Sequence, residues 1–497
     1  MMSQATERLS VVEKIGYSLG DLAANLIFQT LVTFIAFFYT DVYQLPPAQA
    51  SAVILVCGIL GGVIFTPIMG VIADRTQTRW GKFRPWILWT SIPFGVGALL
   101  AFSTPDLEPN GKLIYAFATY LFLVLMYSAN NLPYSALSGV ITGNMKERVS
   151  LSSYRFVAVM VAQFVIQVLL LPLVLILGDG DKAEGFKQAM TIFSIVGVVF
   201  FIITFLTTKE RVVPKPEQKS SIKDDLGDLF KNIPWLIMLA ATILVFIMLA
   251  VKSGTLIYYF ENYLSEAHLA QFLNDSGFNG FIAGLNSSLQ SVGLTKFKWP
   301  EDAPTSAFSL FNGIGIIFMI IGIGFSKPLT TRFGKRNVFG YMLALSMAFV
   351  IALYFMAPTS IGFVFLMQVL HGFSYGITIP LLWAMIADVA DYSEWKNNRR
   401  ATGIIFSAMI LGLKLGLTLG GSCVAFILAT YGYESGAVAQ TPDTINGIKL
   451  AVSLYPAIPA LVAAALLFFY EIDKHMELQI ESDLNDRRTD SAVTAVV

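Results

Sequence analysis

Charge is what this sequence lacks most. Of its 497 residues only 13% are Asp, Glu, Lys or Arg and 55% are hydrophobic, against about 25% and 45–50% in soluble globular chains. So few charges cannot cover a water-facing surface, and the excess apolar residues must face lipid. The 33 basic and 33 acidic residues cancel, which removes the one-sided charge that nucleic-acid binding needs. Cysteine is scarce as well. Cys57 and Cys423 both sit in apolar runs, and with His268, His371 and His475 as the only histidines neither a disulfide framework nor a zinc-ligand set is expected. No nucleophile–base motif, phosphate loop or metal cluster is visible, so neither an enzyme nor a cofactor or metal is expected. A cleavable signal is missing too: MMSQATERLSVVEK is polar and leads into an apolar run with no small-residue cleavage site.

What the chain has is long apolar runs. About 20 apolar residues cross a bilayer as a helix, and twelve such spans are expected at about 15–40, 49–73, 86–104, 113–139, 154–177, 188–207, 234–262, 306–326, 337–357, 360–387, 402–430 and 447–470. Continuous runs such as VGVVFFIITFL exclude the alternating pattern of a transmembrane barrel. The fold expected is an all-α polytopic membrane protein. Lys and Arg concentrate in every second connection, while the others hold only Lys112, Lys182, Lys187, Lys296 and Lys298. By the positive-inside rule both termini lie in the cytoplasm.

A polar stretch at 208–233 divides the spans six and six, giving halves at 1–207 and 234–471 and a cytoplasmic tail at 472–497. DRTQTRWGKFRP after span 2 and KPLTTRFGKR after span 8 repeat a Thr/Arg step, an aromatic, then Gly-Lys at the same point of each half. Topology explains their charge but not that order. Two pseudo-repeated six-helix halves describe the major facilitator fold, with a substrate site near the bilayer midplane. Residues 263–305 form a periplasmic insertion of about forty residues, too polar and Gly-broken to span. One or two short amphipathic helices are expected there, either touching substrate or serving as decoration without a transport role.

Ionisable residues inside a span are candidates for function because they are costly there. Asp21, Asn25 and Gln29 recur at i, i+4 and i+8 and share one helix face, which suits a water-filled cavity or hydrogen bonding between helices. Tyr127 and Asn131 lie one turn apart in span 4. Arg155 opens span 5, either in the cavity or snorkelling to the interface, with Gln163 and Gln167 further on. His371 and Trp383 are in span 10, and Lys414 is twelve residues into span 11 among glycines 412, 416, 420 and 421, which allow close helix approach. Lys252, in span 7, is read as an interface anchor. Amides, hydroxyls and aromatic rings suit a sugar.

The phrases IGYSLGDLAANLIFQ, FFYTDVY, PIMGVIADRTQTRWGKFRPWIL, NNLPYSAL, SYRF and ADVADYSEWKNNRRATG resemble the glycoside–pentoside–hexuronide:cation symporter family, the melibiose-permease relatives of the major facilitator superfamily, and are most similar to xyloside carriers. The resemblance covers nearly the whole chain except 263–305 and the extreme tail. It implies that the family's sugar-binding carboxylates on helices 1 and 4 fall on Asn25 and Asn131, and that its helix-4 Tyr, helix-5 Arg and helix-11 Lys match Tyr127, Arg155 and Lys414. The helix-10 Trp falls on Ile379, with Trp383 one turn on. Where the family's cation ligands stand on helix 2, this chain has Gly62, Phe65 and Thr66, too few oxygens for sodium.

The function expected is therefore import of a sugar or glycoside (pentoside, hexoside or hexuronide) across the inner membrane by a functional monomer in the lipid bilayer. Coupling to a proton, with Asp21 as its carrier, is expected over sodium. Asp21 in a structural ion pair with Arg155, an uncoupled facilitator, and a carrier of acidic sugars drawn by Arg155 and Lys414 are the alternatives.

Overall fold

The computed structural model describes residues 8–142, 144–211, 231–294, 297–397 and 402–494. They form fifteen helices: α1 (Val11–Val42), α2 (Pro47–Arg75), α3 (Arg84–Ala101), α4 (Pro109–Ile141), α5 (Ser150–Leu177), α6 (Lys182–Thr207), α7 (Ile233–Asn262), α8 (Glu266–Asp275), α9 (Phe278–Ser291), α10 (Ala303–Phe333), α11 (Lys335–Phe355), α12 (Ile361–Lys396), α13 (Ile405–Thr430), α14 (Pro442–Phe469) and α15 (Lys474–Thr494). Among the described residues there is no strand, only an isolated bridge between Thr78 and Gly81.

Eleven of these helices are long and apolar enough to cross a membrane. The span expected at 86–104 is helical, but α3 has 18 residues, opens on Arg-Pro-Trp and carries Pro93 in its interior. At 1.5 Å per residue it reaches about 27 Å, just short of the hydrocarbon thickness. Of the linker expected at 208–233, residues 212–230 lie outside the described residues, as do Arg399 and Arg400. Within the insertion, α8 and α9 are the two short helices expected there.

Local signals account for the helix ends. Ser10 Oγ accepts from the Glu13 amide ahead of α1, and Asp181 accepts from Ala183 and Glu184 ahead of α6, each meeting donors that the helix leaves open. Proline begins α2 and α4, where its missing N–H costs nothing. Three helices contain a wider, π-wound stretch: Phe38–Val42 in α1, Gly58–Ile64 in α2 and Val165–Leu169 in α5.

The helices pack into two compact units. The first comprises Met1–Pro216, Ser253–Gly313 and Gly421–Ile448, the second Glu217–Lys252, Ile314–Gly420 and Lys449–Val497. In the first, α1 lies against α5 and α6, and α3 against α4 and α6. The same unit holds the C-terminal ends of α7 and α13 against the N-terminal helices. Thr40 and Tyr258 share a hydroxyl hydrogen bond at 2.7 Å, Tyr433 Oη donates to Asp41 Oδ1 at 2.5 Å, and Lys182 pairs with Glu261 at 2.7 Å. In the second unit α11 packs on α12 and α14 around buried Met238, Phe339, Met385 and Met409. There the glycines of α13 do what their spacing predicts: a Cβ at Gly416 would stand 2.5 Å from the Ile243 carbonyl oxygen of α7, a contact only glycine permits.

The repeated aromatic-Gly-Lys order also has a conformational cause. Gly81 and Gly334 both have positive φ, +112° and +81°, where a side chain is strained. Beyond Gly81, the amides of Lys82, Phe83 and Arg84 all donate to Glu210 at 2.7–2.9 Å. Beyond Gly334, Lys335 pairs with Asp388 and Glu477.

Candidate functional site

The polar face of α1 supplies the foundation. Asn25 Nδ2 donates to Asp21 O at 2.9 Å and to Asp21 Oδ1 at 3.1 Å, the i,i+4 partnership that the stripe anticipates. The other carboxylate oxygen, Oδ2, accepts from Arg155 Nε of α5. Exposure divides the roles: the Asp21 side chain is 3% exposed and that of Arg155 34%. Among the described residues the two terminal nitrogens of Arg155 make no hydrogen bond. Its plane lies over the Tyr134 ring at 5.5 Å, a cation–π contact that further fixes its direction. Tyr134 in turn stacks on Tyr17, ring centres 4.6 Å apart and planes 7° from parallel. The ion pair and the ring contact together hold the direction of the Arg155 side chain.

Tyr127 on α4 stacks against Phe28 of α1 at 5.3 Å. One turn on, Asn131 is half-buried and its amide makes no hydrogen bond among the described residues. Its neighbour differs: Asn130 is buried and donates to Thr90 Oγ1 at 2.9 Å, a structural tie to α3. Gln29 is half-buried on α1, and Gln163 and Gln167 face each other at 3.5 Å on α5. Asp21 and Asn25 of α1 and Arg155 of α5 are thus joined directly, while Gln29 stands on α1 and Tyr127 and Asn131 on α4 of the same unit.

On α2 the oxygens are few and engaged. Thr66 Oγ1 donates to Gly62 O at 2.6 Å and lies 3.2 Å from Ser128 Oγ, which donates to Gly61 O at 2.8 Å. Hydroxyls tied into helix carbonyls leave no carboxylate for an alkali cation at this position.

Trp383 (39% exposed) and half-buried Lys414 belong to the second unit. That unit also joins Lys252 and His371, named from the sequence, to Gln368, which was not. Lys252 Nζ donates to Gln368 Oε1 at 3.2 Å, and His371, one turn after Gln368 on α12, directs Nδ1 at the Ser346 carbonyl at 3.3 Å and stacks on Tyr375. Lys252 is therefore directed into the unit, not out to an interface. The spacing of Gln368, His371 and Tyr375 at i, i+3 and i+7 was the available signal. Tyr17 and Tyr134 were passed over for another reason, since nothing in either phrase says that the two meet.

A family profile described as MFS/sugar transport protein matches residues 16–290 and 304–474. Over 475 residues the chain is 36% identical to the inner membrane symporter YicJ of Escherichia coli (strain K12), covering 95% of this chain and 94% of that one. The chain belongs to the glycoside–pentoside–hexuronide:cation symporter family. Members of this family are major facilitator membrane transporters and not enzymes. The chain is also 30% identical to the isoprimeverose transporter of Lactiplantibacillus pentosus, covering 98% and 95% of the two chains. The fold of the crystallised D-xylose-proton symporter matches it with a TM-score of 0.56 at 13% identity, over 93% of this chain and 95% of that one. The family is thus a multi-pass, all-helical transporter family of sugars, and this chain shares its architecture.

Proposed function

We propose that this protein moves a neutral sugar or glycoside, a pentoside or hexoside, into the cell across the bacterial inner membrane by alternating access. Residues 1–207 and 234–471 act as two six-helix halves joined by a cytoplasmic linker at 208–233, with both termini and the tail 472–497 in the cytoplasm. The protein works as a monomer in the bilayer. Substrate is held by Asn25, Gln29, Tyr127, Asn131 and Arg155 from one half and by Trp383 and Lys414 from the other.

The observation that carries this reading is the partly exposed Arg155 guanidinium, anchored through Nε and free at its terminal nitrogens. Asn25 shares its Asp21 anchor, and the Asn131 amide and the Tyr127 ring stand on α4 of the same unit. Donors, acceptors and a ring face are what a sugar's hydroxyls and C–H face require. While ionised, Asp21 compensates the charge of Arg155, which weakens the electrostatic argument for an acidic sugar. A transporter of isoprimeverose among the relatives supports the same substrate class.

The driving ion is a proton, and Asp21 carries it. Protonation of Asp21 releases Arg155 for substrate, and sodium has no carboxylate to meet at Gly62, Phe65 and Thr66. Uptake of labelled xylosides, glucosides, free sugars and uronates into proteoliposomes tests the whole reading. Accumulation driven by an imposed pH step, and not by sodium, is expected. Sodium-driven uptake overturns the coupling, uronates outcompeting the matching neutral sugars overturn the substrate class, and equilibration without accumulation identifies a facilitator.

A further inference from the structure

A second concavity lies away from the Arg155 site. Between α8, α9 and the start of α10 there is a cavity of about 790 Å³, within the range of small-ligand sites and large enough for a disaccharide. Helix α9 forms its main wall, with Phe278, Ile282, Asn286 and Leu289 as its less exposed positions. In α9 the amides Asn279, Asn286 and Gln290, at i, i+7 and i+11, line the cavity, while Phe281 and Leu285 are turned out, Phe281 to 67% exposure. The exposed amides of Asn279 and Gln290 have no hydrogen bond among the described residues and are open to a ligand.

The opposite wall is an indole held at both ends. The Trp299 backbone N–H donates to Asn286 Oδ1 at 2.8 Å, and its Nε1–H donates to Ser306 Oγ at 2.9 Å. Phe278 meets the ring edge-on at 6.1 Å. The indole is therefore positioned by α9 and α10 before anything binds, and Asn286 keeps its NH₂ group for a ligand. Leu273 and Ile282 supply apolar surface between these groups. Charge narrows the class of ligand. Among the described residues of the lining the cation Lys298 pairs with Glu301 at 2.7 Å, and Asp302 adds a further negative charge, which disfavours phosphate headgroups and uronates.

We infer that this insertion is a second saccharide site, which takes a neutral di- or trisaccharide on the Trp299 ring and the Asn279, Asn286 and Gln290 amides. The inference rests on the transport reading only in placing this face outside the cell. There the site collects glycoside ahead of the Arg155 site and lowers the concentration at which uptake half-saturates.

The test uses the full-length protein, with xylobiose and cellobiose as probes. Equilibrium dialysis should show two sites per chain, and the exposed-residue variant Asn279→Ala/Gln290→Ala should show one. In proteoliposomes that variant should raise the half-saturating concentration about 5- to 30-fold and leave the maximal rate within twofold. Trp299→Phe, which keeps a ring but loses the indole N–H, should give a smaller rise of the same kind. Single-site binding in the unaltered protein overturns the inference, and so does unchanged half-saturation in Asn279→Ala/Gln290→Ala. If the protein binds xylobiose at a site lost in Gln290→Ala but moves no sugar, the transport reading falls and the insertion site stands.

Discussion

Tyr17 and Tyr134 each donate a hydroxyl to the other's backbone carbonyl, at 3.0 and 2.7 Å, while their rings lie face to face. Both are at most 1% exposed. The pair ties α1 to α4 beneath the Asp21–Arg155 contact and gives Arg155 an aromatic surface to lie on. Tyr134→Phe keeps the ring and loses one hydrogen bond. It should lower the unfolding free energy by about 1 kcal/mol with little change in sugar affinity. Thermal unfolding in detergent beside a half-saturation measurement checks both parts. A large affinity loss in Tyr134→Phe means that the hydroxyl itself serves the substrate.

Arg155 should not tolerate its nearest replacement. Arg155→Lys keeps the charge but offers neither the Nε bond to Asp21 nor the two free terminal groups, and a point charge does not replace a planar fork. Losing one or two substrate hydrogen bonds of about 1–2 kcal/mol each should raise the half-saturating concentration roughly 10- to 100-fold. Asp21→Asn should abolish accumulation driven by a pH step and leave counterflow exchange measurable. Wild-type accumulation in Asp21→Asn removes Asp21 from the coupling scheme.

The Gly81 loop offers a purely conformational test. Gly81→Ala places a Cβ at φ +112° and within 2.5 Å of the Glu210 carboxylate, so strain of about 1–3 kcal/mol adds to a damaged amide cradle. Glu210→Gln keeps the shape but loses charge-assisted acceptance from three amides. Both should lower the melting temperature, Gly81→Ala more. Gly334→Ala, at the corresponding point after α10, should act in the same direction. An unchanged melting temperature for Gly81→Ala would show that the loop relaxes without cost.

Acid should act outside the membrane through Glu147. Lys14 donates to it and pairs at 2.8 Å, and the Leu9 amide adds a second donor, so its carboxyl is held below the ordinary value of 4.5. A folded value below the unfolded one gives stability that is present above about pH 4.5 and lost as pH falls through the folded value. Melting temperature in detergent should therefore decline below that pH, and Glu147→Gln should flatten that part of the curve while starting lower at neutral pH.

The sequence made the helices legible because each one must repeat the same solution to the lipid problem. The run expected at 447–470 is the helix Pro442–Phe469, and the insertion shows its two amphipathic pieces. Side-chain partners on one helix were legible for the same reason: Asp21 and Asn25 meet because they are four residues apart. Partners on different helices were not. Tyr17 and Tyr134 are 117 positions apart, and Lys252 and Gln368 are 116 apart, with nothing local to name the pair.

The three π-wound stretches give this transporter joints. A π segment holds one residue beyond what α winding would take up, and tightening it turns everything past it by about 100° around the helix axis while the backbone bonds pass from partner to partner. In α5 the joint at Val165–Leu169 lies ten residues beyond Arg155 and includes Gln167. In α2 it includes the glycines 58, 61 and 62, and there any rewinding has to repack Val124 of α4 and release the Ser128 bond to the Gly61 carbonyl.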